Sequence, residues 1–364
     1  MSLPRHPFFE ERCAGVLLHL TSLPDGGRSL SEACAFADWL ASAGFRWWQM
    51  LPIGPLPDNS HSPYSAKSSF CRGDYLEGKW DAFRKHCQGL GIRLMGDLPI
   101  FVPADSDDVL EKPELFRLDN LGRPEVQTGV PPDCFSATGQ LWGHPHYDWP
   151  AHRAENFEWW VRRIQTQLEW FDAVRVDHFI GFYHAYEIEG QAQTAESGSW
   201  QLAPGREILQ ALVDARLGGA LPLVAEDLGL LTPEVDALRD DFGLPGMRLL
   251  QNGDELDEVF AVAYTGTHDN NTTLGWLDGF AERGLSSPFS SLGQALQTLW
   301  HSDPALAITP MQDLLGLGAS ARMNIPGAIV DQWAWKLPQG SLSIALADQI
   351  RERLDHAERL VTKL

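Results

Sequence analysis

The sequence predicts an α/β protein whose main body is a (β/α)8 TIM barrel with long loops on its catalytic face. Three observations lead to this fold. Short apolar, β-rich segments recur along the chain, segments with helical periodicity separate them, and 364 residues suffice for one large barrel with insertions. Strands that alternate with helices form parallel sheets, and eight such units close into a barrel.

Eight segments are predicted as the barrel strands, each ending in polar or turn residues. In chain order they are GVLLHL (15–20), RWWQMLPIG (46–54), IRLMGDLPIF (92–101), DAVRVDHF (172–179), LPLVAEDLG (221–229), GMRLLQNG (246–253), VAYTGTHDN (262–270) and, with the least regular pattern, SARMNIPG (320–327).

Helical patterns lie between these strands. Apolar residues recur at helical spacing in 29–44, 154–171 and 232–243. Serines begin the first of these helices and Gly44 ends it, whereas the third opens with Pro233 at its first helical position. The C-terminal stretch also predicts an amphipathic helix.

We expect one catalytic barrel over residues 1–340 and a C-terminal helix, 341–364, packed on it. The stretch from about 103 to 150 is rich in Pro, Gly and Asp and has little periodicity. Long loops within a compact domain are usually functional. We therefore predict a loop subdomain that follows the third strand on the catalytic face.

Composition limits the possible partners. There are 28 Lys and Arg residues against 49 Asp and Glu, a formal net charge of -21, which repels phosphate backbones and anionic lipids. The first residues lack the pattern of a leader, and no apolar run is long enough for a bilayer. We expect a cytoplasmic protein without nucleic-acid or membrane partners, whose five cysteines are reduced thiols.

Charged residues interrupt the fourth strand, DAVRVDHFIG. Period-2 alternation places Val174 and Val176 toward the helices and Arg175 and Asp177 toward the barrel interior. A guanidinium lowers the pKa of a neighbouring carboxylate, and an ionised aspartate in a cleft is a possible nucleophile. The alternative is a buried ion pair that only stabilises the barrel.

Three other strand ends carry acids. Glu226 follows apolar residues, where burial raises the pKa of a carboxyl group as a general acid requires, whereas Asp227 is better explained as a helix N-cap. His268 and Asp269 could bind hydroxyl groups and stabilise a cationic transition state, or begin a helix. Asp97 could anchor a loop or take part in catalysis. Two carboxyl groups about 5 to 5.5 Å apart are the machinery of retaining glycoside chemistry.

Aromatic side chains in the loops also favour a sugar ligand, because flat rings pack on the apolar faces of pyranoses. Tyr64, Phe135 and Trp142 lie among Pro, Gly and Ser residues, and we predict that Tyr64 and Trp142 contact the ligand. Trp47 and Trp48 lie early in their strand, and we predict that they belong to the core.

The motifs GDLPIFV, GVPPDCFSATGQLWG, DAVRVDHFIGF, VAEDLG, GLPGM and YTGTHDNNTTLGW occur in this order. Together they resemble the 4-α-glucanotransferases called amylomaltases or disproportionating enzymes, relatives of the α-amylases. The resemblance covers nearly the whole chain. It implies retaining transfer of α-1,4-glucan segments between maltooligosaccharides through a covalent glycosyl-aspartate intermediate, with no metal or organic cofactor.

The resemblance also implies a role for each candidate. Asp177 would be the nucleophile, Glu226 the acid and base, and Asp269 the transition-state stabiliser. The implied substrate-binding residues are Tyr64 and Asp97 in the donor pocket, Arg175 and His268 beside the acids, and Asp133, Phe135 and Trp142 in a loop over the acceptor side.

The sequence departs from the family pattern in three places. A long, mainly helical insertion is missing between the SPY segment and GDLPIF, Cys134 replaces one ring of an aromatic pair, and His144 stands where asparagine is usual. A reduced acceptor site admits water more easily. The alternatives are therefore an α-1,4-glucan hydrolase with the same acids, or a catalytically weak glucan-binding protein.

Overall fold

The computed structural model describes residues 2–132, 136–215, 219–229, 231–327 and 332–361. Twelve strands lie in these ranges: β1 (Cys13–Leu17), β2 (Trp47–Gln49), β3 (Arg93–Leu98), β4 (Val126–Val130), β5 (Gln140–Pro145), β6 (Ala173–Val176), β7 (His184–Glu189), β8 (Gly198–Leu202), β9 (Leu223–Ala225), β10 (Gly246–Leu249), β11 (Ala261–Tyr264) and β12 (Leu306–Pro310).

Eleven α-helices accompany the strands in the described residues. They are α1 (Leu30–Ala43), α2 (Trp80–Leu90), α3 (Asp107–Glu111), α4 (Trp149–Ala154), α5 (Glu158–Trp170), α6 (Gly205–Asp214), α7 (Pro233–Asp241), α8 (Thr273–Glu282), α9 (Leu292–His301), α10 (Met311–Leu314) and α11 (Ile344–His356).

Eight of the strands form one parallel sheet in the order β10-β11-β12-β1-β2-β3-β6-β9. Its two ends approach each other, and the N–H of Ala225 at the end of β9 donates to the carbonyl oxygen of Pro245 at 2.9 Å, just before β10 begins. The sheet is therefore nearly closed on itself, which confirms the predicted (β/α)8 barrel.

The prediction of the eighth strand was wrong. The barrel strand is β12, and residues 320–327 contain a short 3-10 turn (Ala319–Ala321) followed by irregular chain. The β12 segment pairs with β1 and β11 on either side. It follows α9 after only a short connection, as a barrel strand that succeeds its helix does.

The barrel residues belong to two apolar clusters. Val174, Val176 and Trp48 pack with the surrounding helices, whereas Trp47 and Met247 belong to the cluster inside the barrel. Both tryptophans are fully buried, which confirms their assignment to the core.

The helix ends follow the sequence signals. The Ser29 side chain accepts from the N–H of Ser31 at the start of α1, and Gly44 ends that helix with φ of 91°, a left-handed conformation suited to glycine. Pro233 occupies the first turn of α7 as predicted.

A second, antiparallel sheet has the order β5-β4-β7-β8 and was not predicted. Two of its strands lie within the 103–150 stretch, which was expected to be loop. Glycines and prolines in these strands conceal the alternation, and the central pair, β4 with β7, joins segments far apart in the sequence. The sheet places β5 beside the carboxyl ends of the barrel strands.

The C-terminal segment packs on the barrel body. Helix α11 lies against α1, and the ring N–H of Trp39 donates to the Ser343 carbonyl oxygen at 3.1 Å. Beyond the helix, the buried Arg359 guanidinium donates to the carbonyl oxygens of Cys13 and Ala305. The division of the chain at residue 340 and the loop subdomain at about 103–150 stay predictions.

Two simpler expectations concern cysteines and membranes. Cys13, Cys34, Cys71 and Cys87 are free thiols, and Cys134 lies outside the described residues. Every helix of the described chain is too short or too polar to cross a bilayer.

Candidate active site

The register of the barrel strands brings the candidate acids together. Val176 lies opposite Ala225 in the pairing of β6 with β9, so the next residues, Asp177 and Glu226, leave the barrel side by side. The backbone N–H of His178 donates to Glu226 Oε2 at 2.6 Å. Sequence reasoning predicted acids at both strand ends, and the structure places them as immediate neighbours.

Arg175 pairs with two carboxylates at once. Its Nη1 lies 2.8 Å from Asp177 Oδ1 and donates to both oxygens of Asp97, at 2.9 and 2.8 Å. Asp97 lies opposite Arg175 in the register of β3 with β6 and is completely buried, whereas the Asp177 side chain is 26% exposed. The same guanidinium therefore serves a buried ion pair and a carboxylate that faces the cleft.

Glu226 has the environment of a proton donor. Burial and the nearby charge of Asp177 raise the pKa of Glu226 well above its usual range, although Arg175 and the His178 N–H oppose this shift. His178 has φ of 51°, a left-handed conformation that non-glycine residues seldom adopt. This turn directs its N–H at Glu226 immediately after Asp177.

His268 and Asp269 form an ion pair beyond β11, with Nε2 of His268 at 3.3 Å from Asp269 Oδ2. Burial alone would raise the pKa of Asp269, but His268 and an Asn324 hydrogen bond hold it well below its usual range. Burial alone would lower the pKa of His268, but Asp269 raises it. Both shifts favour the charged pair.

Tyr64 joins the two halves of the site. Its hydroxyl group donates to Asp97 Oδ2 at 2.9 Å and lies 2.9 Å from Nε2 of His268, on which its ring stacks. Trp333 contacts both rings, with centroids 5.8 Å from each. The predicted residues of the third, fourth and seventh strand ends thus share one hydrogen-bonded network.

Trp142 of β5 lies on the other side of the acids. Its ring meets the His178 ring edge to face, with centroids 4.8 Å apart, and also contacts Phe101. Asp133 and Phe135, the other two residues predicted for the covering loop, lie outside the described residues.

The assignment of Asp227 as a helix N-cap was wrong. Its buried carboxylate accepts from the N–H of Met247 at 2.6 Å and pairs with Arg239 and Arg248. Asp227 therefore ties the end of β9 to β10 and to helix α7, instead of capping that helix.

Two further residues support the site and were missed. The side-chain amide of Asn324 donates to Asp269 Oδ1 at 2.5 Å, and Arg322 donates to the Asp269 carbonyl oxygen at 2.6 Å. Both lie in the RMN segment that was taken for part of the eighth strand. The polar Arg322 and Asn324 within an otherwise apolar segment were the sequence signal that could have identified them as site residues.

The described residues contain no group of three His, Cys, Asp or Glu side chains arranged to hold a metal ion.

The Asn324 amide gives the first testable prediction. We expect Asn324→Ala to lower kcat/KM of any reaction that depends on Asp269 by about 10- to 100-fold, the effect of losing a hydrogen bond to a charged group. The exposed Asn252, outside this network, provides a matched control in Asn252→Ala. Steady-state kinetics would test this, and equal activity of the two variants would show that Asp269 needs no support from Asn324.

Comparisons with known proteins point to one family. The model of glycoside hydrolase family 77, described as 4-alpha-glucanotransferase, matches residues 18–76 and 74–342. The 4-alpha-glucanotransferase of Thermus thermophilus is 43% identical over 308 residues, covering 78% of this chain and 61% of that protein. The Aquifex aeolicus 4-alpha-glucanotransferase is 30% identical over 467 residues, covering 90% of this chain and 96% of that protein.

Solved structures give the same result. The amylomaltase from Streptococcus agalactiae in complex with acarbose superimposes with a TM-score of 0.87 at 27% identity, covering 96% of this chain and 100% of that chain.

The chain is shorter than several relatives. It covers 61% of the length of the Thermus thermophilus protein and 55% of the Synechocystis 4-alpha-glucanotransferase. The two segments of the family match meet at residues 74–76, within the stretch where the sequence lacks the helical insertion. On the extent of the family match and on these identities, the chain belongs to the 4-alpha-glucanotransferase family.

Proposed function

We propose that the protein is a 4-α-glucanotransferase that moves α-1,4-glucan segments between maltooligosaccharides with retention of configuration. The placement of Asp177 beside Glu226 carries this proposal. Neighbouring strands lie about 4.8 Å apart, which fits the separation of about 5 to 5.5 Å between the two carboxyl groups of retaining enzymes. One of these acids is held next to a guanidinium, and burial raises the pKa of the other well above its usual range.

The first step uses the two acids together. The Asp177 carboxylate attacks the anomeric carbon of the donor sugar while protonated Glu226 gives its proton to the glycosidic oxygen. The bond between that carbon and oxygen breaks, the shortened glucan leaves with a free 4-hydroxyl group, and a glycosyl ester of Asp177 remains.

The second step reverses the roles. The Glu226 carboxylate accepts the proton of the acceptor 4-hydroxyl as its oxygen attacks the same carbon, and Asp177 leaves as a carboxylate. Inversion occurs twice, so the new bond keeps the α configuration.

The other network residues stabilise charge and hold hydroxyl groups. In the proposed mechanism the ionised Asp269 faces the positive charge that develops on the sugar, and His268 and Tyr64 hold its hydroxyl groups. Asp97 has its oxygens occupied by Arg175 and Tyr64, so it positions these two side chains. Trp142 would provide an apolar ring for the acceptor sugar.

A hydrolase with the same acids is the second candidate. The missing insertion favours it, because a lower wall around the acceptor sugar excludes less water from the glycosyl-enzyme. Transfer and hydrolysis share the first step and differ only in what attacks in the second.

Product analysis with maltotriose tests both candidates. We expect a series of longer maltooligosaccharides with a constant number of reducing ends, measured by chromatography and a reducing-end assay. Accumulation of glucose and maltose with rising reducing ends would identify a hydrolase. Binding without any product would identify a glucan-binding protein and overturn both candidates.

A further inference from the structure

A small cavity, lined mainly by apolar atoms with a few polar ones among them, lies beside His268. Its volume is about 30 Å³, and its lining includes His19 and Ser22, which follow β1, and His268 and Asn271, which follow β11. This volume accommodates about one or two water molecules. The cavity therefore joins the end of the first barrel strand to the end of the seventh, next to the candidate active site.

Unpartnered polar atoms come from three of the side chains that line this cavity. Four buried atoms make no hydrogen bond to any described residue: both ring nitrogens of His19, Nδ1 of His268 and Oδ1 of Asn271. His19 is only 2% exposed and His268 only 5% exposed. Buried polar atoms are costly to leave unpaired, and a buried water molecule held by such atoms typically makes about three hydrogen bonds.

One water molecule in this cavity has the donors and acceptors that three of these atoms need. The charged His268 carries a proton on Nδ1 and donates it to the water oxygen. The water donates its two protons to the lone pair of a His19 nitrogen and to Asn271 Oδ1. His19 can accept because it is neutral: burial, together with the charge of the neighbouring His268, lowers its pKa to about 3.

We propose that His19 is a positioning residue for the glucan-transfer reaction, accepting through water the hydrogen bond that Nδ1 of His268 donates. It thereby fixes the orientation and the charge of the imidazole that faces Asp269. The part played in catalysis rests on the proposed function, whereas the coupling between the two histidines does not.

Several groups act on His268 besides His19. Asp269 and the Tyr64 hydroxyl face its Nε2, Asp97 favours its positive charge, and Arg175 opposes it. Lys336 lies near His19 and helps to keep that ring neutral. None of these contacts involves Nδ1 of His268, so replacing His19 changes that side of the ring selectively.

The test measures the His268 pKa by NMR of the labelled ring in the full-length protein. His19→Leu and His19→Phe remove the acceptor, and we expect each to lower the His268 pKa by about one unit. His19→Gln keeps an acceptor oxygen and should retain the wild-type value. Ser22→Ala is the matched control, since it alters the wall of the same cavity, and among the described residues the Ser22 hydroxyl donates only to Met323 Sδ, at 3.8 Å.

Kinetics on maltotriose gives the second readout. If transfer needs charged His268, the alkaline limb of the kcat profile should move to lower pH by the same amount in His19→Leu and His19→Phe, and not in His19→Gln. An unchanged His268 pKa in both apolar variants, or an equal shift in His19→Gln, would overturn the proposal. Because the NMR titration needs no turnover, a wild-type protein without transfer products would refute the proposed function separately.

Discussion

Asp177→Ala is expected to abolish transfer from maltotriose while leaving maltooligosaccharide binding within a few-fold of wild type. Removing a catalytic nucleophile typically costs about 10⁴-fold or more in kcat. Neither Glu226 nor Asp269 can replace it, because burial raises the pKa of Glu226 well above its usual range and Asp269 is paired with His268 and Asn324. Product formation and calorimetric binding would be measured on the same preparation.

The fold should survive this substitution. Arg175 keeps its bonds to both oxygens of the buried Asp97, so the guanidinium is not left without a carboxylate when Asp177 is shortened. Asp177 itself is partly exposed, so its loss opens little buried volume. The exposed Asp257 provides a matched control, and Asp257→Ala should behave as wild type. Turnover retained by purified Asp177→Ala would mean that another group attacks the sugar.

The three acids of the site could be predicted from the sequence more readily than the residues that hydrogen-bond to them. Asp177, Glu226 and Asp269 each follow a short apolar strand, and a barrel brings all such ends to one face. Local sequence patterns are therefore enough to predict that these three acids lie close together. The partners of Asp269 are different, because Asn324 reaches it from an irregular segment whose apolar residues imitate a strand.

The second sheet was missed for a related reason. Strand β4 pairs with β7, and the whole of β6 and the loop that carries Asp177 lie between them in the sequence. The pairing of β4 with β7 depends on the barrel, which brings the two segments together. A local sequence pattern therefore cannot predict it. Trp142 was singled out as a loop residue, yet a strand of this sheet holds it against His178.

Glu226→Gln is expected to lower kcat for maltotriose by about 10²- to 10⁴-fold, the usual contribution of a general acid. An α-maltosyl fluoride donor should lose far less in the first step, because fluoride leaves without a proton. The second step still lacks its base, so the variant should accumulate a glycosyl ester on Asp177. Mass spectrometry of the quenched protein, with the exposed Glu255→Gln as control, would detect this adduct.

The pH profile gives an independent check on the same residue. Glu226 must be protonated to act as an acid, and burial together with the charge of Asp177 raises its pKa, although Arg175, the second largest influence, lowers it. Activity on maltotriose is therefore retained toward neutral pH and lost as the pH rises through that pKa. With the fluoride donor, glycosylation by Glu226→Gln should lose the limb that Glu226 sets, and any limb that remains should follow the His268 pKa measured by NMR. A limb unchanged from that of the wild type would assign the titrating acid to a residue other than Glu226, and an adduct at a position other than Asp177 would move the nucleophile as well.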